Sequence, residues 1–165
     1  MATKERRERK ERKNFEFFEF FCGQNLPHNK MKTIKELCDV VRETGYAIHL
    51  YHGHGHLEKV YENALANRLR KAGLQVQQQH PLVVVDEDGT TIGEYFTDLL
   101  VEGRLVVELK ACKALVGEHT AQVLGYLKSS QIEDGLLINF GSYKFEIKKY
   151  ILSRERTQET QGAEL

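Results

Sequence analysis

Apolar side chains at Ile34, Leu37, Val40 and Val41 recur at steps of three and four, which predicts an amphipathic helix starting at residue 34. Thr33 precedes it and Glu36 follows three residues on, the spacing of a capping box. Ile48 and Leu50 continue the apolar set, and Gly45, which precedes them, predicts a kink or short break. Gly53 and Gly55 interrupt the chain before a second helix, Leu57 to Lys71. Its apolar face is Val60, Tyr61, Ala64, Leu65 and Leu69, and Gly73 ends it. Leu74–Val85 then reads as a strand, Asp86-Glu87-Asp88-Gly89 as a hairpin turn, and Thr91–Val101 as the return strand. Glu102-Gly103 makes a second turn and Leu105–Ala111 a third strand. Glu118–Ser130 is helical in period, with Ala121, Val123, Leu124 and Leu127 for burial. Leu136–Asn139 is a short apolar strand of the kind covered on both faces, and Phe145–Leu152 is a last strand. The order is helix, helix, three strands in hairpin sequence, helix, strand, strand, without internal repeat.

Composition narrows the setting. A chain of 165 residues supports one domain, placed here at 33–152. Residues 1–32 are expected to form a poorly ordered extension and 153–165 a polar tail. Residues 1–13 carry seven basic and three acidic side chains and nothing to bury, so a frayed tail is preferred over a basic arm touching phosphates. The Phe-rich segment 15–21 fits neither helical nor strand periodicity. Lys plus Arg equals Asp plus Glu at 24 each, so nucleic-acid binding has to come from a local patch or a bound metal. Cys22, Cys38 and Cys112 are unclustered and odd in number, as in a reducing cytoplasm. No apolar run approaches the roughly 20 residues that cross a bilayer, so no membrane partner is expected. A homodimer stays open, with no interface legible.

The chemistry concentrates in Asp98 and, after nine intervening residues, Glu108-Leu109-Lys110. In a strand, Glu108 and Lys110 share one face and Leu109 takes the other. A half-buried acid and base on that face are costly unless paired, and Asp98 on the preceding strand is placed to join them. Two helices add Glu58, in a first turn where a carboxylate is favoured, with Tyr61 and Glu62 on its face, and Gln122 with Tyr126 at i and i+4. Such a set can hold a divalent metal and activate water; the bland alternative is a buried ion-pair network.

Five stretches together resemble the GxxExxY family: Gly55-xx-Glu58-xx-Tyr61, Gly93 through Val101, Val107 through Ala111, His119-Thr120-Ala121-Gln122 with Tyr126, and Leu136 through Gly141. That family looks like a branch of the PD-(D/E)xK nuclease superfamily, and the resemblance covers about residues 34–152. It implies an α/β fold with a restriction-endonuclease-like αβββαβ core, a central mixed sheet flanked by helices. It implies Asp98, Glu108 and the Leu109 carbonyl as ligands of Mg2+ (or Mn2+), with Glu58 completing the acidic site. Lys110 would steady the attacking hydroxide, and Gln122 and Tyr126 would act from the later helix. The implied function is metal-dependent hydrolysis of DNA or RNA; the alternative is an inactive module of this fold that binds nucleic acid or a protein. Thr97 stands where the superfamily has proline. His56 replaces an apolar residue, which puts packing at that helix start in question. His49, His52, His54 and His56 also offer a zinc or nickel reading, which the two flexible glycines weaken. Gln77-Gln78-Gln79 reads as a solvated strand face, and His80 before Pro81 as an edge-strand residue.

Overall fold

The computed structural model describes residues 31–153. The expectations for the basic stretch 1–13, the Phe-rich segment and the tail beyond 153 lie outside the described residues. Helix α1 (Ile34–His52) opens on the expected capping box: Thr33 Oγ1 accepts from Glu36 N at 3.2 Å, and Thr33 N donates to Glu36 Oε2 at 2.7 Å. Gly45 does not break it. The helix runs through, and a Cβ at Gly45 would stand 3.2 Å from the Phe145 ring, so glycine is there to admit that ring. Helix α2 (Glu58–Lys71) buries Tyr61, Glu62, Leu65, Ala66 and Leu69. Val60, expected on its apolar face, is exposed, and the face is rotated to take in Glu62.

The strands are β1 (Val76–Val85), β2 (Thr91–Val101), β3 (Leu105–Lys110), β4 (Asp134–Asn139) and β5 (Glu146–Ile151), with α3 (Gly117–Ser130) between β3 and β4. They form one mixed sheet in the order β1-β2-β3-β4-β5. The pairs β1–β2, β2–β3 and β4–β5 are antiparallel; β3–β4 is parallel, which the crossover through α3 makes possible. Helices α1 and α2 cover one face, over Val76, Leu99, Val101, Leu105, Val107, Leu109, Leu136 and Ile138. Helix α3 covers the other through Val123, Tyr126 and Leu127 against Leu82, Leu100, Val106 and Leu137. Ala121, expected to be buried, is exposed, and Tyr126 takes its place in the contact. The architecture is an α/β sandwich with a mixed central sheet between helices, the fold anticipated from the sequence. Among the described residues no helix is long and apolar enough to cross a membrane.

Two features of the sheet set the geometry around Asp98 and Glu108. β2 and β3 pair at Leu99↔Val107, Leu100↔Val106 and Val101↔Leu105, and the ladder ends there. The rest of β2 pairs with β1 alone, and its residues 91–96 are exposed.

Candidate active site

Asp98 and Glu108 stand one step beyond the last rung of the β2–β3 ladder. Alternation sends Leu105, Val107 and Leu109 into the core under α1 and α2, so Glu108 and Lys110 turn to the α3 side. Both carboxylates are nonetheless buried, Asp98 at 9% and Glu108 at 2% exposure. Asp98 Oδ2 accepts the Leu109 N–H at 2.8 Å, a donor that a continued ladder would have used, and Oδ1 accepts from Gln79 Nε2 at 3.2 Å. Glu108 Oε1 accepts from Lys110 Nζ at 2.7 Å. Its Oε2 is buried and has no hydrogen-bond partner. Burial of a carboxylate oxygen without a donor is costly, and native structures seldom leave one so.

The electrostatics reflect crowding. Burial pushes the Glu108 carboxyl up from 4.5 to about 7; the Asp98 charge adds to this and Lys110 works against it. Asp98 is also raised, first by burial and further by Glu62, while the Leu109 N–H and Lys110 oppose. Burial works against the Lys110 charge, but Glu108, Glu58 and Asp98 outweigh it and hold the ammonium more firmly protonated than usual. Three carboxylates thus share one ammonium, and the surplus is negative.

Glu58 reaches this cluster from the first turn of α2. Its Oε2 accepts the Ala111 N–H at 3.3 Å, just past Lys110, and burial raises its carboxyl with Lys110 opposing. Tyr61 fixes the approach. Its ring stacks on Phe140 at 4.6 Å, its hydroxyl donates to Gly53 O at 2.9 Å, and it accepts the His56 N–H at 3.2 Å. The His56 imidazole is exposed, and the helix start is held by that backbone N–H, so the expected disturbance does not arise. Gly141 closes the far side: a Cβ there would meet the Ala111–Cys112 peptide at 2.3 Å, so only glycine allows β4's exit to lie against β3's.

From α3, Gln122 Nε2 donates to Tyr126 Oη at 2.6 Å. Tyr126 is raised by burial and by the Glu108 charge, which places its hydroxyl within the field of the acidic cluster. The Tyr126 ring packs on Tyr95 of the β1–β2 ribbon, centroids 5.5 Å apart. The histidines do not assemble: His49 is buried against Phe140 and Phe145 with Nε2 at 3.2 Å from Tyr143 O, and His52 and His56 meet edge to face at 5.9 Å. Among the described residues, no three His, Cys, Asp or Glu side chains converge as a ready-made ligand cluster.

Glu62, expected on the face of Glu58, joins the site, and so does Gln79, which sequence reasoning does not single out for it. Glu62 is 2% exposed, accepting from Lys59 Nζ at 2.6 Å and Gln78 Nε2 at 2.8 Å. Gln79 donates to both Glu62 Oε2, at 3.1 Å, and Asp98. Gln77 and Gln79 are exposed, as expected, and Gln78 is half-buried; Gln78 and Gln79 nonetheless bond to buried carboxylates.

The donor set fits a hard divalent cation. It offers carboxylate oxygens only, one of them orphaned, in surplus negative charge, and such ions keep several waters of their own. None of the curated proteins matches this chain. A structural search finds the crystal structure of SSO0001, with a TM-score of 0.50 at 14% identity, covering 86% of this chain and 78% of that one. At that identity the likeness concerns the fold. A family model described as the PD-(D/E)XK nuclease superfamily matches residues 35–150, a span that contains Glu58, Asp98, Glu108, Lys110, Gln122 and Tyr126. By that match this chain belongs to the PD-(D/E)XK nuclease superfamily.

Proposed function

We propose that this domain is a divalent-metal-dependent nuclease of the GxxExxY branch, hydrolysing phosphodiester bonds in DNA or RNA. The observation that carries the reading is the buried, partnerless Oε2 of Glu108 amid surplus negative charge. Tyr61 supports the branch assignment, because its hydroxyl ties the Gly53 carbonyl to the start of the helix that bears Glu58.

Asp98 and Glu108 would hold Mg2+ or Mn2+. In a paired strand a residue's N–H and C=O point to the same neighbour, so the Leu109 carbonyl faces the opening beside Asp98 that its N–H already faces. A bound divalent cation supplies Lewis acidity toward the phosphate and a water of lowered pKa. The chain's own residues do the rest. Lys110, kept charged by three carboxylates, offsets negative charge developing on the phosphate. Glu58, its carboxyl raised by burial, would complete the acidic site from α2 and take a proton from the attacking water. Gln122 orients the Tyr126 hydroxyl beside this cluster, as a neutral donor toward a phosphate oxygen.

The test is cleavage of labelled single-stranded, duplex and branched DNA and of RNA, with Mg2+ or Mn2+, by the parent chain and by Glu108→Ala. The expected result is metal-dependent cutting that falls at least about 100-fold in the variant. Equal cutting by both overturns the assignment.

A further inference from the structure

Among the described residues, three that are not glycine have positive φ: Gln79 at 50°, Glu102 at 52° and Gln131 at 61°. Glu102 lies in the β2–β3 turn and Gln131 caps α3, places where left-handed backbone is routine. Gln79 is in the middle of β1, where it is not. No residue is inserted there, since Gln78↔Leu99 and His80↔Thr97 keep one register on either side. The strand nevertheless changes face: Val76 packs with the α1–α2 core, whereas Leu82, of the same parity, packs with the α3 cluster. Backbone held in a sparse region of this kind marks a place where the surrounding structure needs it.

The need is visible in the side chain. Both hydrogens of the Gln79 amide are used, one toward Glu62 Oε2 at 3.1 Å and one toward Asp98 Oδ1 at 3.2 Å. Glu62 is itself anchored by Lys59 and Gln78, and Gln78 in turn by Arg70 at 2.9 Å. Asp98 is thus gripped from two sides, by the Leu109 N–H and by an amide moored to α2. We infer that Gln79 is a positioning residue, bridging Glu62 to Asp98 so that the Asp98 carboxylate is held for a divalent cation before one arrives. Outer partners of a ligating carboxylate act in this way, fixing its orientation and so the metal affinity.

The inference rests on the proposed metal site, and its test separates the two. Mn2+ binding to the full chain is measured by calorimetry, together with melting without metal, for the parent, Gln79→Gly, Glu62→Gln and the double variant. Glycine tolerates the left-handed backbone, so Gln79→Gly keeps the strand's change of face and removes only the bridge. The expected result is a melting temperature within about 4 °C of the parent and Mn2+ affinity weaker by about 10- to 100-fold. Glu62→Gln weakens binding less, and the double variant no further than Gln79→Gly alone, because both act through one connection. Mn2+ binding by Gln79→Gly as tight as the parent's, or losses that simply add in the double variant, overturns the inference. A parent chain that takes up no Mn2+ overturns the metal reading itself, and this one with it.

Discussion

From Leu99 to Val101 and from Leu105 to Val107, β2 and β3 are apolar, buried and fully paired; one step on, at Asp98 and Glu108, they are still buried but neither apolar nor paired with each other. The first region uses burial to hold the sheet together. The second places charge in the same depth of burial, leaving a carboxylate oxygen with no donor and the Leu109 N–H turned to a side chain. Because the two regions are consecutive on the same strands, the contrast comes from residue type and the opening of the ladder rather than from depth. The opened end of the sheet is suited to accept something positive, at a cost in stability that the closed end offsets.

Substitutions can separate the two regions. Leu105→Ala, in the closed region, should cost about 2–5 kcal/mol by chemical denaturation, with no dependence on metal beyond that of the parent. The open region should instead register in pH. The folded-state pKa of Glu108 lies above its ordinary 4.5, at about 7, so the native state binds the extra proton. Its contribution is favourable below about pH 4.5 and is lost as pH rises through 7, by at most roughly 3 kcal/mol. Denaturation of the metal-free chain at pH 5 and pH 8 should show the decline, and Glu108→Gln should flatten it. An unchanged slope would mean that Glu108 is not the group responsible. Smallest is Tyr61→Phe, which keeps the stack on Phe140 but removes the hydroxyl's bonds to Gly53 and His56. About 1 kcal/mol of stability should go, with faster amide exchange at residues 53–57 and little change in the closed ladder.

The sequence is most legible where one pattern decides one element. The capping box at Thr33, the hairpin around Asp86–Gly89 and the turn at Glu102-Gly103 are local, and β1 to β5 fall within two residues of their expected bounds. The placement of Glu58, Asp98, Glu108 and Lys110 in one neighbourhood comes from motif spacing together with the family resemblance, because spacing alone allows an ion-pair network equally. Gly45 misleads because glycine within a helix signals a break unless one knows that Phe145, a hundred residues on, packs against it. Val60 and Ala121 mislead because an apolar residue at helical spacing need not face inward when an acid or a tyrosine takes the buried position. Gln79 is hidden for a deeper reason: its role depends on a left-handed φ inside a strand, which no period of hydrophobicity encodes.

The proposed activity stands or falls on Asp98 and Glu108 sharing one divalent cation at the opened end of the ladder. Crystals soaked in Mn2+ and recorded at its absorption edge decide the matter. An anomalous peak is expected within about 2.5 Å of an oxygen of each carboxylate, with Glu108 Oε2 no longer without a partner. A peak confined to the His52–His56 loop, or none beside a Glu108 that keeps its bond to Lys110 and nothing else, would contradict it.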